Sequence, residues 1–122
     1  LRAWLQFLAE EPEFARTLLI EVFAAGPRAT EQFVAAHRRF AADIRAWYLH
    51  AQREHPSWPS IPDEVHVAIV GALHELAVTC VREDRTAHLP ELEDTAFNLH
   101  MAVLSGWPHS PISREREGLS RT

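Results

Sequence analysis

Apolar residues recur at helical spacing along most of the chain, and four Pro/Gly punctuation points divide them into five helical stretches, with no alternating strand pattern among them. The first stretch, Leu1 to about Ala9, places Trp4, Leu5 and Leu8 on one face and stops before Glu11-Pro12, so it reads as the tail of a longer helix. The second starts at Pro12 and Glu13, a proline and a carboxylate suited to a first turn, and runs through FARTLLIEVFAA to Gly26-Pro27. Its centre is apolar almost all round. The third extends from Pro27 to about His55, where Phe33, His37, Phe40, Ile44, Trp47 and Ala51 recur in steps of four and three. One helix of about 40 Å fits that stripe, and a break near Thr30 fits it equally.

Pro56, Pro59 and Pro62 then forbid a regular helix through HPSWPSIPDE, and Ser60 to Asp63 has the form of a capping box. The fourth helix, Pro62 to about Asp84, carries Val65, Ile69, Ala72, Leu76 and Cys80 on one face and Val67, Val70, His74, Ala77 and Val81 on another. Both faces call for burial. The fifth starts near Leu89-Pro90, carries Leu92, Ala96, Leu99 and Val103, and ends at Gly106-Trp107-Pro108. The expectation is an all-α domain over residues 1–107 with a polar, flexible tail over 108–122.

Composition narrows the function more than the fold. A formal net charge of -5 supplies no broad basic field, so this chain is not expected to hold a nucleic-acid backbone by itself. The single cysteine, Cys80, cannot form an internal disulfide, and its apolar setting in AVTCV suggests a buried thiol in a reduced, cytoplasmic protein. No apolar stretch is expected to approach the ~20 residues that span a bilayer, and no signal-peptide pattern opens the chain, so no membrane partner is expected. Because Leu1 falls in what reads as the middle of an amphipathic helix, a partner domain preceding it is also expected.

The block EEPEFARTLLIEVFAAGPRATEQF, followed after the long third helix by EVHVAIVGALHELAVTCVREDRTAHLPELEDTAFNLHMAVL, resembles the C-terminal domain of TetR-family transcriptional regulators. The likeness covers about residues 8 to 104 and lies in the order of segments: an E-x-P-E helix start, an L-L-I-E-V helix, a long helix, then a V-G-A-L-H-E-L helix paired with a shorter last one. It implies a bundle of about five helices that encloses an effector pocket and a homodimer in which the last two long helices pair with their mates as a four-helix bundle. It also implies DNA binding through a helix-turn-helix domain that this chain lacks. Under that resemblance Ala68, Gly71, Ala72, Glu75, Leu99 and Val103 are the candidate dimer residues. Gly71, flanked by Ala68 and Ala72, suits close helix approach, although a plain core glycine fits as well.

Candidate ligand residues are those whose chemistry sits oddly on an apolar face. Glu21 interrupts LLIEVF, where a buried carboxylate needs a partner, a water or a ligand; a crevice edge or a pairing with Arg38 or Arg45 also fits. His37 lies on the third helix's apolar stripe and His74 within ALHELAV, each offering one donor and one acceptor when neutral. Phe23, Phe40 and Trp47 complete the candidate lining, since small-molecule pockets are mostly aromatic and aliphatic with few polar groups. A satisfied core explains the same residues without a ligand.

Metal and nucleophile chemistry find little support. His74-Glu75 opens an H-E-x-x-H pattern that Val78 breaks, and Asp63-x-x-His66 is a single match where a bundle di-iron site needs two Glu-x-x-His helices. Cys80 has no evident base, no phosphate-binding glycine loop is present, and His50, His55 and His109 read as solvated. No cofactor, metal or enzymatic activity is therefore expected. The leading expectation is an effector-sensing, dimerising domain for a small, largely apolar molecule; the alternatives are a purely structural helical dimerisation module and a small helical metal-binding protein.

Overall fold

A computed structural model describes residues 1–108, and the described residues form an all-α domain. Five α-helices carry it: α1 (Arg2–Glu10), α2 (Pro12–Arg16), α3 (Pro27–Glu54), α4 (Asp63–Arg82) and α5 (Leu92–Gly106). A π-type turn at Thr17–Glu21 and a 3-10 turn at Val22–Ala25 continue α2 toward Gly26, and a second 3-10 segment, Thr86–Glu91, leads into α5. Apart from Pro108, the tail expected over 108–122 lies outside the described residues.

Local chemistry accounts for the helix limits. Pro12 and Pro27 each sit in a first turn, where the missing N–H costs nothing. Gly26 bridges the second stretch to α3 at φ 102, a backbone conformation that L side chains rarely adopt. α3 runs unbroken through Thr30, whose hydroxyl donates to the Gly26 carbonyl at 3.3 Å. The capping box expected at Ser60–Asp63 does not form, because α4 begins at Asp63 with Pro62 as its cap, which leaves Ser60 outside the first turn. Asp63 accepts from Arg45 Nε at 2.5 Å instead, while Asp63 and Glu64 complement the helix dipole.

The end of α4 is a Schellman turn. Asp84 takes φ 56, the Arg85 N–H donates to the Cys80 carbonyl at 2.9 Å, and the Asp84 N–H donates to that of Val81 at 3.2 Å. Aspartate tolerates this left-handed conformation better than most residues. The Cys80 thiol donates to the Arg85 carbonyl at 2.8 Å, so the buried sulfur closes the same turn.

Two separate cores grip α4 at opposite ends. Near its C-terminal end, Leu5 and Leu8 of α1, Ala15, Leu19 and Leu89 pack with Ala77, Val78, Cys80 and Val81. Near its N-terminal end, Tyr48 of α3 and Leu104 of α5 pack with Val65 and Ile69, while Trp58, Ile61, Val103 and Trp107 fit around them. The proline-rich loop is tied to this second core: the Tyr48 hydroxyl donates to the Pro59 carbonyl at 2.6 Å, and Gln52 Nε2 donates to the same oxygen at 3.2 Å. No Cα of α3 comes within 8 Å of one in α5. Both helices lean on α4, and the space between them is bridged only by side chains such as Trp47 and His100, whose ring centroids lie 5.9 Å apart.

The two apolar faces expected on α4 are unequal. Val65, Ile69, Val70, Ala77, Cys80 and Val81 are buried, as is Leu73 between the faces, but Ala72 and Leu76 are half-buried and Val67 is 53% exposed. The expectation that no stretch approaches membrane-spanning length needs correction. α4 has 20 residues and enough hydropathy to cross a bilayer by length and composition. Half of its most apolar window is buried inside the domain, as befits a core helix gripped at both ends.

Candidate functional site

Between the two cores, the middle of α4 borders a narrow cleft. Val70, Leu73 and His74 form the floor of a cleft of about 270 Å³, walled by Ala36, His37 and Phe40 of α3 and closed at one end by Leu1 and Trp4. α3 meets α4 closely near Tyr48, and of its residues at the cleft Ala36 is the smallest. Phe40 and Trp4 stay 38% and 40% exposed on its rim, a cost in unburied aromatic area that a bound apolar molecule would offset.

Two histidines supply the polar part of this lining. The His37 and His74 rings meet edge to face with centroids 4.9 Å apart, and Phe33 packs against both, at 4.2 Å from His37 and 4.9 Å from His74. His74 Nε2 is closed off from solvent and has no hydrogen-bond partner. Burial pushes the His37 imidazole below its ordinary pKa of 6.5. His74 moves the same way, first through burial and then through repulsion from His37, against a smaller opposing pull from Glu75. Both rings are therefore neutral near pH 7 and carry one donor and one acceptor each. An unpaired, desolvated ring nitrogen costs free energy in the fold, and a ligand in the cleft reaches it only when the ring turns.

The candidate ligand residues divide among three places. His37, Phe40 and His74 come together at the cleft. Phe23 reaches the group only through Phe33, 5.0 Å away edge to face, and is itself 52% exposed. Trp47 stands farther along α3, at a shallower cleft beside His100 and Met101.

Glu21 is not buried. The π-type turn shifts the helical phase at LLIE, so that Leu19 points inward and Glu21 outward, where its carboxylate accepts from the Thr17 hydroxyl at 3.4 Å. Neither arginine considered for it serves as its partner, since Arg45 pairs with Asp63 and Arg38 is exposed. Leu1, Ala36, Val70 and Leu73 escaped notice as lining residues, and Phe33, which packs on both histidines, belongs to the same stripe as His37, one turn before it.

The candidate dimer residues share another surface. Ala68, Gly71 and Glu75 are exposed along α4; Ala72, Leu99 and Val103 are half-buried, and with Ala68 they line a shallow, almost wholly apolar groove between α4 and α5. A Cβ built at Gly71 meets nothing within 4 Å, so glycine is not required there by this domain's own packing.

Among the described residues, no three or more His, Cys, Asp or Glu side chains converge as metal donors, and His37 and His74 form a pair without a third. His50 pairs loosely with Glu54 at 3.6 Å, His55 stacks on Trp58, and His109 lies outside the described residues. No family model matches this chain, nor does any curated protein or solved structure.

Proposed function

We propose that this domain senses a small, largely apolar molecule in the cleft between α3 and α4, and that it is the effector-binding and dimerising part of a TetR-type regulator. The observation that carries the reading is the placement of two neutral histidines, one with an orphaned ring nitrogen, in an apolar gap between two well-packed cores. The His66 Nδ1, in the packed core beside Tyr48, is unpaired as well, so the support lies in the pairing of such a nitrogen with the exposed aromatics Trp4 and Phe40, which a filled structural core would cover.

The same architecture suggests how binding is transmitted. α4 is held by a packed core at each end and borders the cleft between them, so a ligand wedged against Val70, Leu73 and His74 favours one separation of α3 and α4 over another. The apolar α4–α5 groove, with small residues at Ala68 and Ala72 and the exposed Gly71 on the same helix, suits a second copy of the chain packed about a two-fold axis. A shift of α4 then alters the geometry of the pair and of any DNA-reading domains attached to it. In this reading the protein is a homodimer of the cytoplasm, without catalytic activity, a resident cofactor or a membrane partner.

A thermal-shift screen with varied small molecules, at concentrations far above their dissociation constants, tests the reading. A binder at a hundredfold excess over its Kd stabilises the fold by about 2.7 kcal/mol. A consistent chemical class of stabilisers supports the sensing role; silence across apolar classes favours a purely structural dimerisation module.

A further inference from the structure

Glu64 and Arg82 stand five whole turns apart in α4, so their side chains leave the helix along one line, about 27 Å from each other. That line passes Ala68, Gly71 and Glu75, and all five positions are exposed. Apolar surface borders it on both sides: Val67, 53% exposed, on one, and the groove of Ala72, Leu99 and Val103 on the other. The two end charges are free. Their neighbours in sequence are held within the domain, Asp63 by Arg45 and Glu83 by Arg85, whereas neither Glu64 nor Arg82 has an ion-pair partner among the described residues. Each also complements the dipole at its own end of α4.

A surface with an acid at one end and a base at the other is complementary to its own reverse. When a two-fold axis crosses α4 midway between the two charges, the acidic end of each helix meets the basic end of the other, twice over. A parallel pairing would instead set glutamate on glutamate and arginine on arginine. We infer, resting on the dimer proposed above, that a second copy docks along this line with α4 antiparallel to its mate, Glu64 of each copy paired with Arg82 of the other. Gly71 of one copy then lies level with Glu75 of the other. A Cβ at Gly71 would meet nothing within 4 Å, and that space lets the Glu75 stem carry its carboxylate past the axis to the rim.

The arrangement fixes the crossing angle. At about 20°, the ends of the two lines separate sideways by roughly 5 Å, which glutamate and arginine side chains span; at about 50° they separate by roughly 11 Å, which they do not. The helices therefore run nearly antiparallel. Exposed ion pairs contribute little affinity each, so the small residues and the bordering apolar groove hold the two copies together while Glu64 and Arg82 set their register.

Analytical ultracentrifugation of charge-swapped chains tests the inference. The expected result is a dimer for the unaltered chain and a Kd raised by about tenfold in Glu64→Arg and in Arg82→Glu, where like charges now meet. The chain carrying both changes is expected to recover to within about threefold of the unaltered Kd. Each swap also opposes the helix dipole, so the doubly changed chain should unfold more easily than either single variant even as its dimer recovers. Damage to the fold alone would move both readings together. Crosslinking gives a second measurement that does not involve these charges: Gly71→Cys mixed with Glu75→Cys is expected to form an interchain disulfide faster than either variant by itself. Single swaps as tight as the unaltered chain, a double swap no tighter than the single ones, or crosslinking fastest between identical variants overturns the register and leaves the dimer standing. An unaltered chain that is monomeric at every concentration overturns both.

Discussion

His74 turns the edge of its ring toward His37 at a centroid distance of 4.9 Å and an interplanar angle of 74°, while its own Nε2 finds no partner. An unmet polar atom in a half-buried position favours the unfolded chain, so His74→Leu is expected to stabilise the ligand-free protein by ~1 kcal/mol. The same change removes a polar ring from the cleft wall. Chemical denaturation should show the rise in stability, and titration with any stabilising ligand should show at least a tenfold loss of affinity. A loss of stability in His74→Leu would mean that the imidazole is satisfied in solution and not held for a ligand.

Four histidines share one electrostatic tendency. His37, His66, His74 and His100 are all pushed below 6.5, in each case chiefly by burial. For His66, 2% exposed beside Tyr48, Asp63 pulls upward and Arg45 downward, both more weakly than burial. Lowered folded-state values mean that the unfolded chain binds more protons between the folded values and 6.5. The stability these groups contribute is therefore present in full above pH 6.5 and is lost as pH falls below it. Melting temperatures measured from pH 8 to pH 5 are expected to decline below 6.5, and His66→Phe is expected to make that decline shallower. A flat profile over this range would show that these rings are charged at no cost in the fold.

The surface of α4 gives a prediction about assembly. Gly71 has open space where a Cβ would stand, and glycine inside a helix costs roughly 0.5–1 kcal/mol relative to alanine. Gly71→Arg is thus expected to leave the single domain at least as stable while placing a large charge in the groove between copies. Light scattering should show a dimer for the parent chain and a monomer for the variant. A dimer in both would place the interface elsewhere.

Leu8, fully buried with Leu5, Ala15, Leu19 and the C-terminal half of α4, tests whether α1 is integral to the domain. Leu8→Ala is expected to cost about 2–5 kcal/mol in denaturant unfolding. A cost below about 1 kcal/mol would show α1 to be only loosely docked.

Much of this architecture was legible in the letters. Prolines and glycines marked the helix breaks to within a few residues, because their backbone restrictions act locally, and the four-and-three stripe from Phe33 to Trp47 belongs to one continuous helix. The site was harder to read. His37, Phe40 and His74 could be singled out as apolar-face positions, but their meeting depends on how α3 crosses α4, which periodicity does not encode. The spacing left Glu21 open between a pocket and a crevice edge, because the π-type turn that changes the phase of LLIE leaves no mark in the periodicity. Ser60 resembled a cap by spacing alone, yet Pro62 set the start of α4 later. His100 and Leu1 gave no signal, since each matters only where α3 and α5 stand apart.

The most direct test of the sensing cleft is a titration of protein labelled with nitrogen-15 in its histidine rings, followed by NMR as a stabilising ligand is added. The expected result is displacement of the His74 and His37 ring-nitrogen signals in step with binding, with those of the exposed His50 and His55 unmoved. Saturation by the ligand with the His74 and His37 signals unchanged would contradict the account.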